Sequence, residues 1–263
     1  MEINVLGPLT AMEHGVSVVP TAGKPRQILA LLALQADRVV TVPTLMEEIW
    51  GEEIPRSAAT TLQTYILQLR RKLATALAGD PHRQAKEVLV TQHGGYLLQV
   101  QPGRVDAQEF TRLAASGRDA HEAGDYRSAS ALLRQAMELW QGPALVDVRV
   151  GSVLELEVLG LEEDRMAALE RRIDADLHLG RHREIVPELR VLVAKNPMHE
   201  NFCAHLMTAQ HRAGSSWRAL ESYQRLRTTL IDELGLEPSP RLQRLHQAVL
   251  AADPALDLEV TAG

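Results

Sequence analysis

Apolar residues recur at helical spacing through most of this chain, most clearly from Ser57 to Leu73. At about 100° per residue, Leu62, Tyr65, Ile66, Leu69 and Leu73 fall on one side. Thr60, Thr64, Leu67 and Arg71 point the opposite way, flanked by Gln63 and Gln68. The spacing predicts a helix that buries one stripe and leaves a polar, basic face free; no acidic residue interrupts it from Ser57 to Leu77. Upstream, Ile3, Val5 and Leu6 alternate as in a strand until Gly7-Pro8 breaks it, and Val16 to Val19 predicts a second strand after the His14-Gly15 turn. Pro25 sits in the first turn of an apolar helix over 26–36, and Thr41 leads into a second helix that runs through Pro43 to Trp50 and ends at Gly51. Ser57 is the predicted N-cap of the long helix, and Gly79-Asp80-Pro81 its stop. Val88 to Val100 holds two β-rich runs joined by Gly94-Gly95, a hairpin signal.

Strands, three helices and a hairpin in that order are the layout of a winged helix-turn-helix, whose third helix enters the DNA major groove while the hairpin reaches the neighbouring backbone. The breaker segment Gln101-Pro102-Gly103-Arg104 divides the chain into residues 1–104 and 105–263. Asp106 and Glu109 resemble a capping box opening the next helix. From there nearly everything has helical period. Gly124-Asp-Tyr126, Gly180-Arg-His182 and Gly214-Ser-Ser-Trp217 begin similar segments, and the last two glycines are 34 residues apart, the tetratricopeptide period. The first interval is 56 residues, which an insertion around Gly142-Pro143 to Glu157 explains. The expectation is an α+β winged helix-turn-helix followed by an all-α tetratricopeptide-like repeat with a concave face, and a frayed tail from Leu256 to Gly263.

Composition narrows the function. With 263 residues, 45% of them hydrophobic and 24% charged, the chain is an ordinary globular protein with room for two cores. No apolar run reaches membrane-span length and no leader pattern opens the chain, so a cytoplasmic, nucleoid-associated protein is expected. Cys203 is the single cysteine, which excludes an intrachain disulfide and multi-cysteine metal sites. The net charge of −6 is unevenly spread: residues 1–104 carry ten Lys and Arg against nine Asp and Glu, residues 105–263 eighteen against twenty-five. The acidity therefore belongs to the second half and leaves the first free to meet a polyanion. His178 with His182, and His199 with Cys203, have metal-ligand spacing on a helix but lack further ligands. Arg171-Arg172 and Arg181-His-Arg183 read as a solvated face, and Trp50, Trp140 and Trp217 as core. With no nucleophile elbow, zinc-protease motif or phosphate loop, an enzyme is not expected, nor a cofactor.

The ordered motifs carry a resemblance. Thr60 to Leu73 and Val90-Thr-Gln-His-Gly-Gly-Tyr96 in the first half, with Leu139-Trp-Gln-Gly-Pro-Ala-Leu145, Ala175-Asp-Leu-His-Leu-Gly180, Asn196-Pro-Met-His-Glu200 and Asp232-Glu-Leu-Gly-Leu-Glu-Pro-Ser239 in the second, resemble the Streptomyces antibiotic regulatory protein family from about Ile3 to Leu250. The resemblance implies a DNA-binding domain of the response-regulator output type, followed by a bacterial transcriptional activation domain. It implies an activator of a secondary-metabolite gene cluster that binds direct repeats near the promoter −35 region as a head-to-tail dimer and recruits RNA polymerase holoenzyme with its sigma factor. By position it assigns base reading to Gln63, Thr64 and Gln68, phosphate holding to Thr60, Thr61, Arg70, Arg71 and Lys72, and the wing tip to Gln92 and His93. Relatives often carry Arg where this chain has Thr60, Leu67 and Gln68. No receiver domain precedes the DNA-binding part, so control by phosphorylation through one is not expected. Charge and position also offer Glu52 and Glu53, ahead of the reading helix, as a surface for a basic polymerase or sigma partner. An alternative reading is an interaction scaffold whose N-terminal domain docks protein instead of DNA; salt- and sequence-dependent duplex binding separates the two.

Overall fold

Alternation at the N-terminus produces three short antiparallel strands where the pattern predicts two. These are β1 (Glu2–Asn4), β2 (Thr10–Glu13) and β3 (Val16–Ser17), paired in that order with Ile3 opposite Ala11 and Met12 opposite Ser17. Strand β2 is unreadable in sequence because its inward residues are Ala11 and Glu13, one small and one charged. The computed structural model describes residues 1–80 and 82–256. Pro81, part of the predicted helix stop, and residues 257–263 of the predicted tail lie outside the described residues. Two compact units result, residues 1–115 with 135–166, and residues 116–134 with those from 167 on.

In the first unit, helix α1 (Gly23–Leu34) is apolar on nearly every side and is the heart of the core, with Ile28, Leu31 and Leu32 fully buried. Strand β4 (Val39–Thr41) ends at Thr41, whose hydroxyl accepts the Thr44 N–H at 3.2 Å and starts α2 (Val42–Trp50). Helix α3 (Ala58–Ala76) follows. Ser57 does precede it, but its backbone (φ −88°, ψ 3°) is not extended, and its side chain makes no capping bond. One short turn, α4 (Ala85–Val88), is closed by a capping box between Gln84 and Glu87. Strands β5 (Leu89–Gln92) and β6 (Gly95–Leu98) then form the hairpin, and β6 lies between β4 and β5 in a second antiparallel sheet.

Long-range polar contacts close this unit. The Asp106 carboxylate accepts the N–H groups of Val5 at 2.8 Å and of Leu6 at 3.0 Å. That is where it goes in place of the predicted capping box, and Glu109 pairs with Arg112 at 2.6 Å. Burial pushes the Asp106 carboxyl up, against the opposing pull of those N–H donors. The Gln141 N–H donates to the Leu6 carbonyl at 2.8 Å and the Leu145 N–H to the Val5 carbonyl at 2.9 Å, while Asp147 holds the Leu9 N–H and Arg26. Glu48, only 2% exposed, accepts from Gln27 Nε2 at 2.5 Å and from the N–H groups of Gly151 at 2.7 Å and Leu154 at 2.8 Å. The last two open helix α7 (Ser152–His178), so a carboxylate on α2 caps a helix more than one hundred residues away. Gly151 is required there, since a Cβ would collide with the Glu48 carbonyl oxygen. Trp140 is buried as expected, edge-on to Phe110 at 5.3 Å and under the Arg165 guanidinium at 4.4 Å.

Helices α5 (Asp106–Glu122) and α6 (Tyr126–Glu138), α7 and α8 (His182–Lys195), and α9 (Glu200–Arg212) and α10 (Ser216–Leu234) form three antiparallel pairs, each joined through the glycine that the sequence pattern marks. Helix α11 (Pro240–Leu250) follows. Residues 139–151 run without helix or strand; the expected insertion from Gly142-Pro143 to Glu157 overlaps them, but its last six residues belong to α7. In the second unit Cys203, Met207, Tyr223, Leu226, Leu230, Leu242 and Val249 form one core cluster. Burial pushes the Cys203 thiol up to about 12, with Glu200 adding to the effect, so it stays protonated and inert.

Two expectations fail in this unit. Arg172 is not on a solvated face: it is 5% exposed and bonds the fully buried Asp176 at 3.0 Å, which also receives Ser130 and Arg181, both at 2.7 Å. A carboxylate without water needs such partners, and Arg172 stands four residues earlier on the same helix face. Trp217 is not core but 64% exposed, with the Arg218 guanidinium over its ring at 5.1 Å. His178 and His199, the candidate ligands, stack on Tyr126 at 4.0 Å and Phe202 at 4.1 Å.

Glu48→Ala leaves the Gly151 and Leu154 N–H groups without an acceptor, while Gln27 Nε2 keeps the Glu48 carbonyl at 2.8 Å, and is expected to lower stability by about 2–3 kcal/mol in urea unfolding; an unchanged midpoint would mean water substitutes for the carboxylate.

Candidate nucleic-acid interface

The outward face of α3 is set by what its inward face buries. Leu62, Ile66, Leu69 and Leu73 are at most 3% exposed, which leaves Thr60, Gln63, Thr64, Leu67, Gln68 and Arg71 exposed along about three turns of helix. Thr61 and Lys72 lie half-buried on one flank. Tyr65, on the same flank, is half-buried and stacks on Trp50 at 6.5 Å, and Lys24 covers the Trp50 ring at 5.0 Å; Trp50 is therefore a half-buried prop, less enclosed than expected. The Thr64 hydroxyl donates to the Thr60 carbonyl at 3.0 Å, so the oxygen it presents outward is an acceptor. Leu67, 48% exposed, offers a methyl surface amid polar groups.

Arg70 occupies the opposite flank and is half-buried. Its Nε and Nη2 donate to the Leu89 carbonyl at 3.0 and 2.7 Å, and Nη2 also to Thr91 Oγ1 at 2.8 Å. The guanidinium thus ties the reading helix to the first strand of the wing, a role that the sequence reading missed. No local signal marks it, because the partners lie 19 and 21 residues downstream. Arg56, exposed just ahead of α3, is a further cation which that reading left out.

At the wing, Gln92 pairs with Gly95 across a two-residue turn, His93-Gly94, and both Gln92 and His93 are exposed. Gly94 has φ 76°, and a Cβ on Gly95 would strike the Val40 carbonyl oxygen, so this tight hairpin against β4 accepts glycine at both places. Glu52 and Glu53 are exposed in the connection between α2 and α3. The site is thus a polar helix face without acids, beside a pinned hairpin. Such a surface can offer donors and acceptors to base edges and cations to phosphates.

Comparison with known proteins agrees with this geometry. Residues 17–98 match the family described as transcriptional regulatory protein, C terminal, and residues 105–250 match the bacterial transcriptional activator domain. Regulatory protein DnrI of Streptomyces peucetius is 54% identical over 257 residues, covering 98% of this chain and 94% of that protein. The transcriptional regulator RedD of Streptomyces coelicolor is 37% identical over 256 residues, covering 97% and 72%.

The chain belongs to the Streptomyces antibiotic regulatory protein family.

As a member of that family it is a DNA-binding transcriptional activator, built from a winged helix-turn-helix and a helical-repeat region. A structure of Mycobacterium tuberculosis EmbR in complex with a low-affinity phosphopeptide has the same fold, with a TM-score of 0.88 at 31% identity over 96% of this chain and 65% of that one. Among the described residues no helix is long and apolar enough to cross a membrane.

Arg70→Ala is expected to speed amide exchange in residues 89–98 and to cost about 1.5–3 kcal/mol, the range for hydrogen bonds that involve a charged group. Arg70→Lys should not restore protection, since an ammonium cannot reproduce the fork. Equal exchange in all three proteins would show that the wing holds its place without the clamp.

Proposed function

We propose that this activator reads direct repeats near the −35 region of promoters in a secondary-metabolite gene cluster. The observation that carries the reading is the exposed, acid-free face of α3, held against the wing by Arg70. In this assignment Gln63, Thr64 and Gln68 contact base edges. A Gln amide suits adenine N6 and N7, and the Thr64 oxygen suits a base amino group. Thr60, Thr61, Arg71 and Lys72 hold backbone phosphates, joined by the Arg70 Nη1 group that the clamp does not use. Gln92 and His93 meet the adjacent groove from the wing. Residues 1–104 serve as the DNA-binding domain and residues 105–263 as the activation domain, in a cytoplasmic, nucleoid-associated protein.

Direct repeats call for two protomers in the same orientation, head to tail, about one helical turn apart on one face of the duplex. In this arrangement the two exposed carboxylates of the Glu52-Glu53 connection are assigned to RNA polymerase holoenzyme, since they suit a basic sigma or polymerase surface.

Selection of bound sequences from a random duplex library at near-physiological salt, followed by footprinting, tests the proposal. Enrichment of tandem repeats one turn apart is the expected result, and enrichment of inverted repeats would overturn the head-to-tail arrangement. Arg71→Ala should weaken binding to every selected sequence alike and lower the salt slope by about 1. Parental affinity in that variant would mean that α3 presents a different face. Reversal of both Glu52 and Glu53 to Lys should abolish activation in transcription assays while DNA binding stays intact; unchanged transcription would remove the polymerase assignment.

A further inference from the structure

The second unit holds a groove that DNA reading does not use. Its walls are α8 and α10 and its floor is α9, which packs against both. The cavity measures about 970 Å³, with Arg190, Val193 and Ala194 on one wall, Arg218 and Arg225 on the other, and Leu206 in the floor. A second cavity of about 210 Å³ shares Arg190 and Arg218 and adds Arg183. Gln210, 4% exposed, lines both, so the groove continues from one to the other.

The charge in this groove runs against its surroundings. Residues 105–263 carry seven more acids than bases, yet four arginines line one groove in which Glu221 is the single acidic lining residue, and Arg225 already pairs with it at 2.6 Å. Among the described residues Arg183, Arg190 and Arg218 have no carboxylate partner within 4.0 Å. Their spacing is regular. Arg183 and Arg190 are seven apart on α8, and Arg218 and Arg225 are seven apart on α10, about 10 Å along each helix. A single small anion would engage one arginine of each pair. Carboxylates three residues apart on a polyproline II chain, which has three residues per turn, or seven apart on a helix, lie on one face at about the full spacing. Val193 and Ala194, beside the nearly buried Leu206 and Leu226, give an aliphatic side chain a seat, and exposed Trp217 adds an aromatic surface next to Arg218. A phosphate backbone would leave that apolar surface unused and would meet the acidity of the rest of this half.

We propose that the α8–α9–α10 groove docks an acidic segment of a partner protein, with Asp or Glu side chains on the four arginines and an aliphatic or aromatic anchor on the floor. The site lies outside the DNA-reading face, so this proposal stands whether or not the base assignments above hold.

Panning a random twelve-residue peptide library against the full chain tests it. Sequences combining several acids with a Leu, Ile or Phe anchor should be enriched, and their binding should weaken with salt. In the variant carrying Arg190→Glu with Arg218→Glu the selected peptides should bind at least tenfold more weakly, while operator affinity and thermal midpoint stay at parental values. The milder Arg190→Ala with Arg218→Ala should give a loss in the same direction if charge reversal disturbs the fold. Enrichment of peptides without acids, or undiminished binding in both variants, would overturn the proposal. So would a loss of operator affinity, which would make the groove a DNA surface, or a loss of self-association by sedimentation, which would make it a contact between copies.

Discussion

Everything functional in the first half rests on the burial of one stripe of α3. Leu62, Ile66, Leu69 and Leu73 are each removed almost wholly from water, a driving force of about 1.5–3 kcal/mol per side chain. Because a helix is rigid, fixing that stripe also fixes the opposite one, and Gln63, Thr64, Gln68 and Arg71 face outward as a consequence. A one-residue shift in the stripe would rotate the face by about 100° and replace it with another set of residues.

Polar contacts add what apolar burial cannot, namely position. The Arg70 guanidinium ties α3 to the wing through two oxygens, so the helix and hairpin are held as a pair. Glu48 and Asp106 work on the same principle over longer distances, placing a buried and a half-buried carboxylate where backbone N–H groups would otherwise lack partners. These carboxylates explain why the compact unit around the winged helix reaches past Arg104 and takes in residues 135–166. In the second unit Asp176 gathers Ser130, Arg134, Arg172 and Arg181 around one buried charge. Charges left outside such networks, as in the α8–α10 groove, then stand out as available for a partner.

The division between sequence and tertiary structure follows from range. The long helices, the hairpin and the outward residues of α3 were legible in the chain, because each depends on spacings of one to eight residues governed by helical or strand period; the glycine-closed helix pairs were legible from the recurrence of their glycine segments, and the single turn α4 was not. The family was legible too, since its motifs occur in a fixed order. What escaped the sequence depends on partners far away or on patterns with no period. Strand β2 hides behind Ala11 and Glu13, and Asp106 has a capping-box spacing but spends its oxygens on Val5 and Leu6. Arg172 reads as a surface cation until the fold brings Asp176 and Glu188 to it, and Trp217 reads as core until the fold leaves it in solvent. A charged or aromatic side chain is compatible with burial or exposure alike, and only three-dimensional packing decides which; an apolar stripe at helical spacing has one low-energy answer, and that answer the chain alone determined.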